Sequence, residues 1–140
     1  MDRLKADIEQ VFQPFGSIVH QKMYTDFKGI FKNSGNARSF LAVLMSRLKF
    51  LEQQGLEKAL QTDNFKRIEK GLYAIRIKGK HNIRILFSLK ENKEIMLLAF
   101  FRKAGKGRSE YENYIPEANR RLSEIKLMIP RRGETWAKKF

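Results

Sequence analysis

A chain of 140 residues with 42% apolar content is long enough for a single domain around one hydrophobic core. It holds no cysteine, which excludes a disulfide framework and a cysteine-based zinc site and suits a reducing cytosol. Its 29 Lys and Arg against 15 Asp and Glu give a net charge of +14, which favours a polyanionic partner: RNA, DNA, anionic lipid or an acidic protein.

The N-terminus, Met1-Asp2-Arg3-Leu4-Lys5-Ala6-Asp7, carries acids where a signal peptide is basic and then apolar. No apolar run reaches the roughly 18 residues of a membrane span, so a cytoplasmic protein is expected. Leu4, Ile8, Val11 and Phe12 recur at helical spacing and predict a short helix over 3–13, stopped by Pro14-Phe15-Gly16. Ser17 to Tyr24 reads as a first, edge strand. Asp26 to Gly35, with Gly29, Asn33, Ser34 and Gly35, reads as a loop.

The clearest helix runs from Ala37 to about Gln54. Phe40, Leu41, Leu44, Leu48 and Leu51 form one apolar stripe, with Asn36 placed to cap its start and Gly55 to end it. Nothing polar converges on that stripe, so it is core rather than a cofactor site. Leu56 to Leu60 adds a turn of helix before Thr62-Asp63-Asn64 breaks the pattern.

Three strands follow. Leu72 to Lys78 alternates Tyr73, Ile75 and Ile77 against Ala74, Arg76 and Lys78, and Asn82 to Leu89 sets Ile83, Ile85, Phe87 and Leu89 on one face. Ile95 to Phe101 is apolar on both faces, as a strand covered on both sides would be. The short linkers Gly79–Asn82 and Lys90–Glu94 make the three an antiparallel meander. If Ile75 and Ile77 face the core, Arg76 and Lys78 face the other way. Arg84 follows the same parity, and Arg102 and Lys103 arrive where the third strand ends. Ten basic and two acidic residues fall between Leu72 and Arg108. Arg76 and Arg84 could be plain solvated positions, but their alignment across adjacent strands weighs towards function.

Ala104-Gly105-Lys106-Gly107-Arg108 is a glycine-rich basic loop that matches no nucleotide-binding fingerprint. Ser109 to Glu112 is a capping box, with Pro116 interrupting any helix that begins there. A final helix is predicted over Pro116–Met128, where Ala118, Leu122 and Ile125 share a face with Met128 or Ile129, and Pro130 ends it. Arg131 to Phe140 is a basic tail without periodicity.

Lys70-Gly71-Leu72-Tyr73-Ala74-Ile75-Arg76, Asn82-Ile83-Arg84-Ile85-Leu86-Phe87, Leu97-Leu98-Ala99-Phe100-Phe101-Arg102-Lys103 and Glu117-Ala118-Asn119-Arg120-Arg121-Leu122 come in an order that resembles the RelE/ParE toxin superfamily. The HigB-like, phage Gp49-like branch is the most similar, with its "GLYELR" strand, "YRILY" strand, "FxKK" strand end and "AxxR" final helix. The resemblance covers roughly Ala37 to Met128, within a single domain of residues 1–140 that has an N-terminal extension (1–36) and a basic tail (130–140).

The resemblance implies an α+β fold: a small antiparallel sheet, a three-stranded meander plus a possible N-terminal strand, with helices packed on one face and a C-terminal helix. It implies a type II toxin that cuts messenger RNA, usually on the ribosome, and is silenced by a cognate antitoxin. Carried over by position, Arg76, Arg84, Arg102 and Lys103 match the family's cationic site, and Tyr111 or Tyr114 stands for a tyrosine near the last helix. Ala74 departs from the charged residue usual there, and Ala104 to Gly107 spreads out the segment after the basic pair.

Cleavage at the ribose 2′-oxygen needs a base, charge stabilisation at phosphorus and an acid, none of which requires a metal or cofactor, and neither is expected. Arg84 and Arg102 could grip the phosphate bidentately. Lys78, Lys80 or Lys103 could serve as base, since like-charged neighbours lower a lysine's pKa. Tyr111 could stack on a base or share in proton transfer. Lys78, Lys80, Lys106 and Arg108 are expected to bind RNA phosphates. His20 and His81 are far apart in sequence, and His81 falls in a predicted turn. Two further readings stay open: a ParE-like gyrase poison, and a nucleic-acid-binding protein without catalysis. An acidic, helix-turn-helix antitoxin is the expected protein partner.

Overall fold

The computed structural model describes residues 18–20, 22–31, 34–78, 82–90, 95–102 and 109–127. The helix predicted over 3–13 and the basic tail lie outside them. The described elements are β1 (Ile18–Val19), α1 (Lys22–Ile30), α2 (Ser34–Gln54), α3 (Leu56–Ala59), β2 (Phe65–Glu69), β3 (Leu72–Ile77), β4 (Ile83–Leu89), β5 (Ile95–Arg102) and α4 (Ser109–Leu127). The fold is α+β, as expected.

The strands form one sheet in the order β1-β5-β4-β3-β2. β2 to β5 are antiparallel, and β1 adds parallel to β5 through Ile18–Met96 and Val19–Leu97. Gly71 takes φ +79° in the two-residue turn between β2 and β3, a conformation that glycine adopts without a Cβ penalty. Gly55 ends α2 at φ +85° and ψ 164°, a backbone region that is essentially glycine-only.

Both faces of the sheet are covered. On one, Tyr73, Ile75, Ile77, Ile83, Ile85 and Phe87 pack with the α2 stripe Phe40, Leu41, Leu44, Leu48 and Leu51. On the other, Leu72, Ala74, Leu86, Met96, Leu98 and Phe101 meet Tyr111, Ala118 and Ile125 of α4. β5 is therefore sandwiched, which explains its unbroken apolar sequence. An extra residue, Leu98, between the pairs Leu86–Ala99 and Phe87–Leu97 shifts the β4–β5 register.

Four expectations need correction. The stretch read as a loop from Asp26 is the second half of α1: Met23 and Phe27 are buried one helical turn apart, and Phe27, Phe31 and Phe40 form an aromatic cluster. The strand read as Ser17–Tyr24 is accordingly only two residues long. α2 begins at Ser34, so Asn36 lies within its backbone and does not cap it. Pro116 does not interrupt α4, which runs unbroken from Ser109. A proline in a helix interior deletes one backbone hydrogen bond, and here Tyr111 on one side and Ala118 and Ile125 on the other are fastened to the sheet. The sheet also gains β2, whose Phe65 and Ile68 lie three apart in sequence and on opposite faces of the sheet, so no alternation marked it as a strand.

Candidate nucleic-acid site

Arg76 and Arg84 are directly opposed across β3 and β4, and the same register sets Phe101 of β5 against Arg84. This row lies on the α4 side of the sheet, at the N-terminal end of that helix, where Tyr111 comes down onto it. Lys66 of β2, paired with Ala74, places its Nζ 5.2 Å from the centre of the Tyr111 ring. Three cations from three strands thus surround one phenol.

The burial of these groups differs. Arg76 is half-buried; its Nε donates to the Asp63 carbonyl at 2.7 Å, and its Nη2 stands 3.9 Å from the exposed Asp63 carboxylate. Arg84 is only 7% exposed, donates from Nη1 to the Ile83 carbonyl at 3.2 Å, and leaves its Nε with no acceptor. Tyr111 is 2% exposed, and its hydroxyl stands beside the Arg84 guanidinium, close enough to interact but without a well-formed hydrogen bond. Burial raises the Tyr111 pKa above its usual 10, while Arg84 and Arg76 pull it back. The phenol is therefore neutral at physiological pH and available as a donor. A buried guanidinium N–H and a buried hydroxyl, both unmade, are costly to keep without a ligand to complete them.

The structure brings together Arg76, Arg84 and Tyr111 of the residues expected in the site. Lys78 follows the end of β3 and is exposed. The register sets Arg102 opposite Ile83, so the row of Arg76 and Arg84 continues into β5 at Phe101, one residue short of it. The Arg102 side chain, and Lys80, Lys103, Lys106 and Arg108, lie outside the described residues, as does His81. Lys66 was not anticipated, because its strand was not. Tyr114, the other tyrosine that the resemblance offered, lays its ring flat on Phe101 with centroids 4.1 Å apart and planes 2° from parallel. Tyr111 meets the same Phe101 edge-on and is too buried to offer its ring to a base.

A second polar cluster fastens α4 to β1 and α1. Arg121 is 6% exposed and bonds Asp26 of α1 at 2.7 Å, Glu117 at 2.7 Å and the Leu98 carbonyl at 2.9 Å. Burial opposes its charge, yet the bonds to Asp26 and Glu117 prevail and raise its pKa. Arg120 links Glu117 and Glu124, and hydrogen bonding from Arg120 first, with Arg121, lowers the Glu117 pKa to about 2. Glu124 Oε2 accepts from His20 Nε2 at 3.1 Å, and His20 Nδ1 accepts the Lys22 backbone N–H that opens α1. His20 is thus committed to structure. So is Arg121, the arginine of the "AxxR" pattern. Among the described residues no three His, Cys, Asp or Glu side chains gather as metal ligands would, and no helix is long and apolar enough to cross a membrane.

The model of one protein family, described as phage-derived protein Gp49-like, matches residues 37–123, more than half of the chain. No curated protein and no solved structure gives a match. The matched segment contains α3, all of β2 to β5 and Tyr111, but begins after α1, whose Met23, Phe27 and Asp26 complete the core and the polar clamp.

Proposed function

The chain belongs to the Gp49-like family of phage-derived proteins, and from that premise we propose that it is a toxin that cleaves messenger RNA without a metal ion. The observation that carries this reading is the opposed pair Arg76 and Arg84 beneath a neutral Tyr111, with hydrogen-bonding capacity left over on Arg84 and on the phenol. A phosphodiester would supply the missing acceptors. Lys78, Lys80 or Lys103 would take the proton of the ribose 2′-hydroxyl as its oxygen bonds to phosphorus and the bond to the 5′-oxygen breaks. The two guanidiniums would take the non-bridging oxygens and hold the developing charge. Tyr111, kept protonated by burial, suits proton donation to the departing 5′-oxygen. Lys78, Lys80, Lys103, Lys106 and Arg108 would steer the RNA backbone.

Arg84 and Tyr111 are both more than nine-tenths buried, so a phosphate meets Arg76 and Lys66 first. It reaches the inner pair when the first turns of α4 lift. That same burial favours a second reading, in which the cations bind nucleic acid and no cleavage follows. An acidic antitoxin fits a chain of charge +14 as its inhibitor. Induction in bacteria separates the two readings: growth arrest with cuts inside translated messages by primer extension, both lost on Arg84→Met, is the expected result. Growth arrest with intact messages, or harmless expression, would remove the ribonuclease reading.

A further inference from the structure

The Tyr114–Phe101 stack is left over once the cationic row and the polar clamp are accounted for. Tyr114 is 38% exposed in a helix whose neighbouring Tyr111 is 2% exposed, so α4 buries one ring and presents the other. Phe101 is itself buried, held edge-on by Tyr111 on one side and flat against Tyr114 on the other. A ring fixed parallel to a buried ring keeps its plane, and its outer face is offered to solvent in a defined orientation. Phe101 stands in register opposite Arg84, one strand spacing of roughly 5 Å away along the sheet, so Tyr114 caps the β5 end of the row of guanidiniums. An aromatic face beside a phosphate-binding row is the arrangement by which proteins hold single-stranded nucleic acid, the cations tracking the backbone and the ring carrying a base.

We propose that Tyr114 is a nucleobase platform: an unpaired base of single-stranded RNA stacks on its outer face while the adjoining phosphate lies on Arg76 and Lys66, the cations within reach with α4 closed. This rests on the reading of the cationic row as an RNA site and adds to it the class of substrate, a single strand with at least one splayed base. A duplex cannot present a base face to the ring. The stack reads a π-surface and no hydrogen-bonding edge, so it tolerates any base at that position. Tyr111 holds Phe101, and thereby the platform, at the end of the cationic row.

The test uses the full chain and a fluorescent six-nucleotide RNA made uncleavable by 2′-O-methylation, together with versions carrying one abasic position each. Tyr114→Ala is expected to weaken binding about tenfold to a hundredfold, the range for loss of one base–aromatic stack, and Tyr114→Phe to stay within about twofold of the wild type. Tyr114→Leu, which still covers Phe101, should behave as the alanine variant does if stacking matters and as the wild type if Tyr114 only packs. One abasic position should cancel the difference between wild type and Tyr114→Ala. Equal binding by Tyr114→Ala, wild-type binding by Tyr114→Leu, or a deficit that no abasic position cancels would overturn the platform and leave the ribonuclease reading standing. Ring-dependent binding by a protein that cuts no message would keep the platform and remove the ribonuclease. No binding by the wild type would overturn both.

Discussion

Arg76 and Arg84 face each other as direct cross-strand partners, two like charges in a position where opposite charges or apolar pairs are the stabilising choice. Arg76 is relieved by Asp63, through a 2.7 Å bond to its carbonyl and the more distant carboxylate. Arg84 has less relief: a 3.2 Å bond to the carbonyl of Ile83, the Tyr111 phenol beside it, and a buried Nε with nothing to donate to. The fold carries a local cost at this pair that a bound phosphate would remove.

Arg84→Met therefore separates stability from function. The substitution replaces an under-bonded buried cation by an apolar chain of similar reach, and unfolding in urea should show between no change and a gain of about 2 kcal/mol. Growth arrest should vanish with it. A marked loss of stability would mean that Arg84 holds the sheet and α4 together, and the site reading would lose its main support.

Tyr111→Phe removes a hydroxyl that makes no well-formed hydrogen bond, so stability should be unchanged or slightly higher. If the phenol delivers a proton, cleavage falls by roughly 10²–10⁴-fold. Burial raises the phenol's pKa above 10, so its contribution to stability is complete below pH 10 and is lost as the pH climbs through the raised value. An ultraviolet titration should show one phenol ionising above pH 10 that is missing from the phenylalanine variant.

The meander was legible in the sequence because Tyr73-Ala74-Ile75-Arg76-Ile77 and Ile83-Arg84-Ile85 alternate at the strand period, and parity alone placed Arg76 and Arg84 on one row. β2 was not, since Phe65 and Ile68 feed opposite faces of the sheet. α1 was hidden by Gly29, which has open space around it, and by the brevity of a stripe of Met23 and Phe27. Asp26 lies 95 residues from Arg121 and Glu124 lies 104 from His20, and no local pattern announces such contacts. Parity also said that Arg84 would face away from the α2 core without saying that a second helix waits there. For that reason its burial, and the exposure of Tyr114 beside it, had to come from the structure.

Acid should loosen α4 in two stages. Burial holds the His20 pKa below its ordinary 6.5 despite the Glu124 carboxylate, so the unfolded chain takes up the proton first. Stability is then complete above about pH 6.5 and falls as the pH drops below it. Glu117, lowered to about 2, adds a second loss that begins below its ordinary 4.5. His20→Asn keeps an acceptor for the Lys22 N–H, as an Asx turn does, and removes the titration. Chemical denaturation at pH 7.5, 5.5 and 4 should show the first stage vanish in that variant and the second persist.

Arg121→Ala strips Asp26 and Glu117 of their shared partner and leaves the Leu98 carbonyl without a donor, at a cost of about 3–5 kcal/mol. Asp26→Ala leaves Arg121 bonded to Glu117 and Leu98 and should cost less, about 1.5–3 kcal/mol. The double variant should fall well short of the sum, because the two act as one unit. Full additivity in urea unfolding would mean that α1 and α4 are joined by packing alone.

Pro116 divides α4 between the half that covers the cationic row and the half that Arg121 and Glu124 pin down. It has no backbone N–H to give to the helix at that boundary. Pro116→Ala restores the donor and should stabilise the protein by up to about 3 kcal/mol. If a phosphate reaches Arg84 only when the first turns of α4 lift, the same change makes opening costlier, and each roughly 1.4 kcal/mol so added lowers the open fraction about tenfold. Cleavage of an RNA substrate should then slow in step with the gain in stability, while Arg76 and Lys66 still bind a non-cleavable strand. A more stable protein that cuts at the wild-type rate would show that substrate enters with α4 closed.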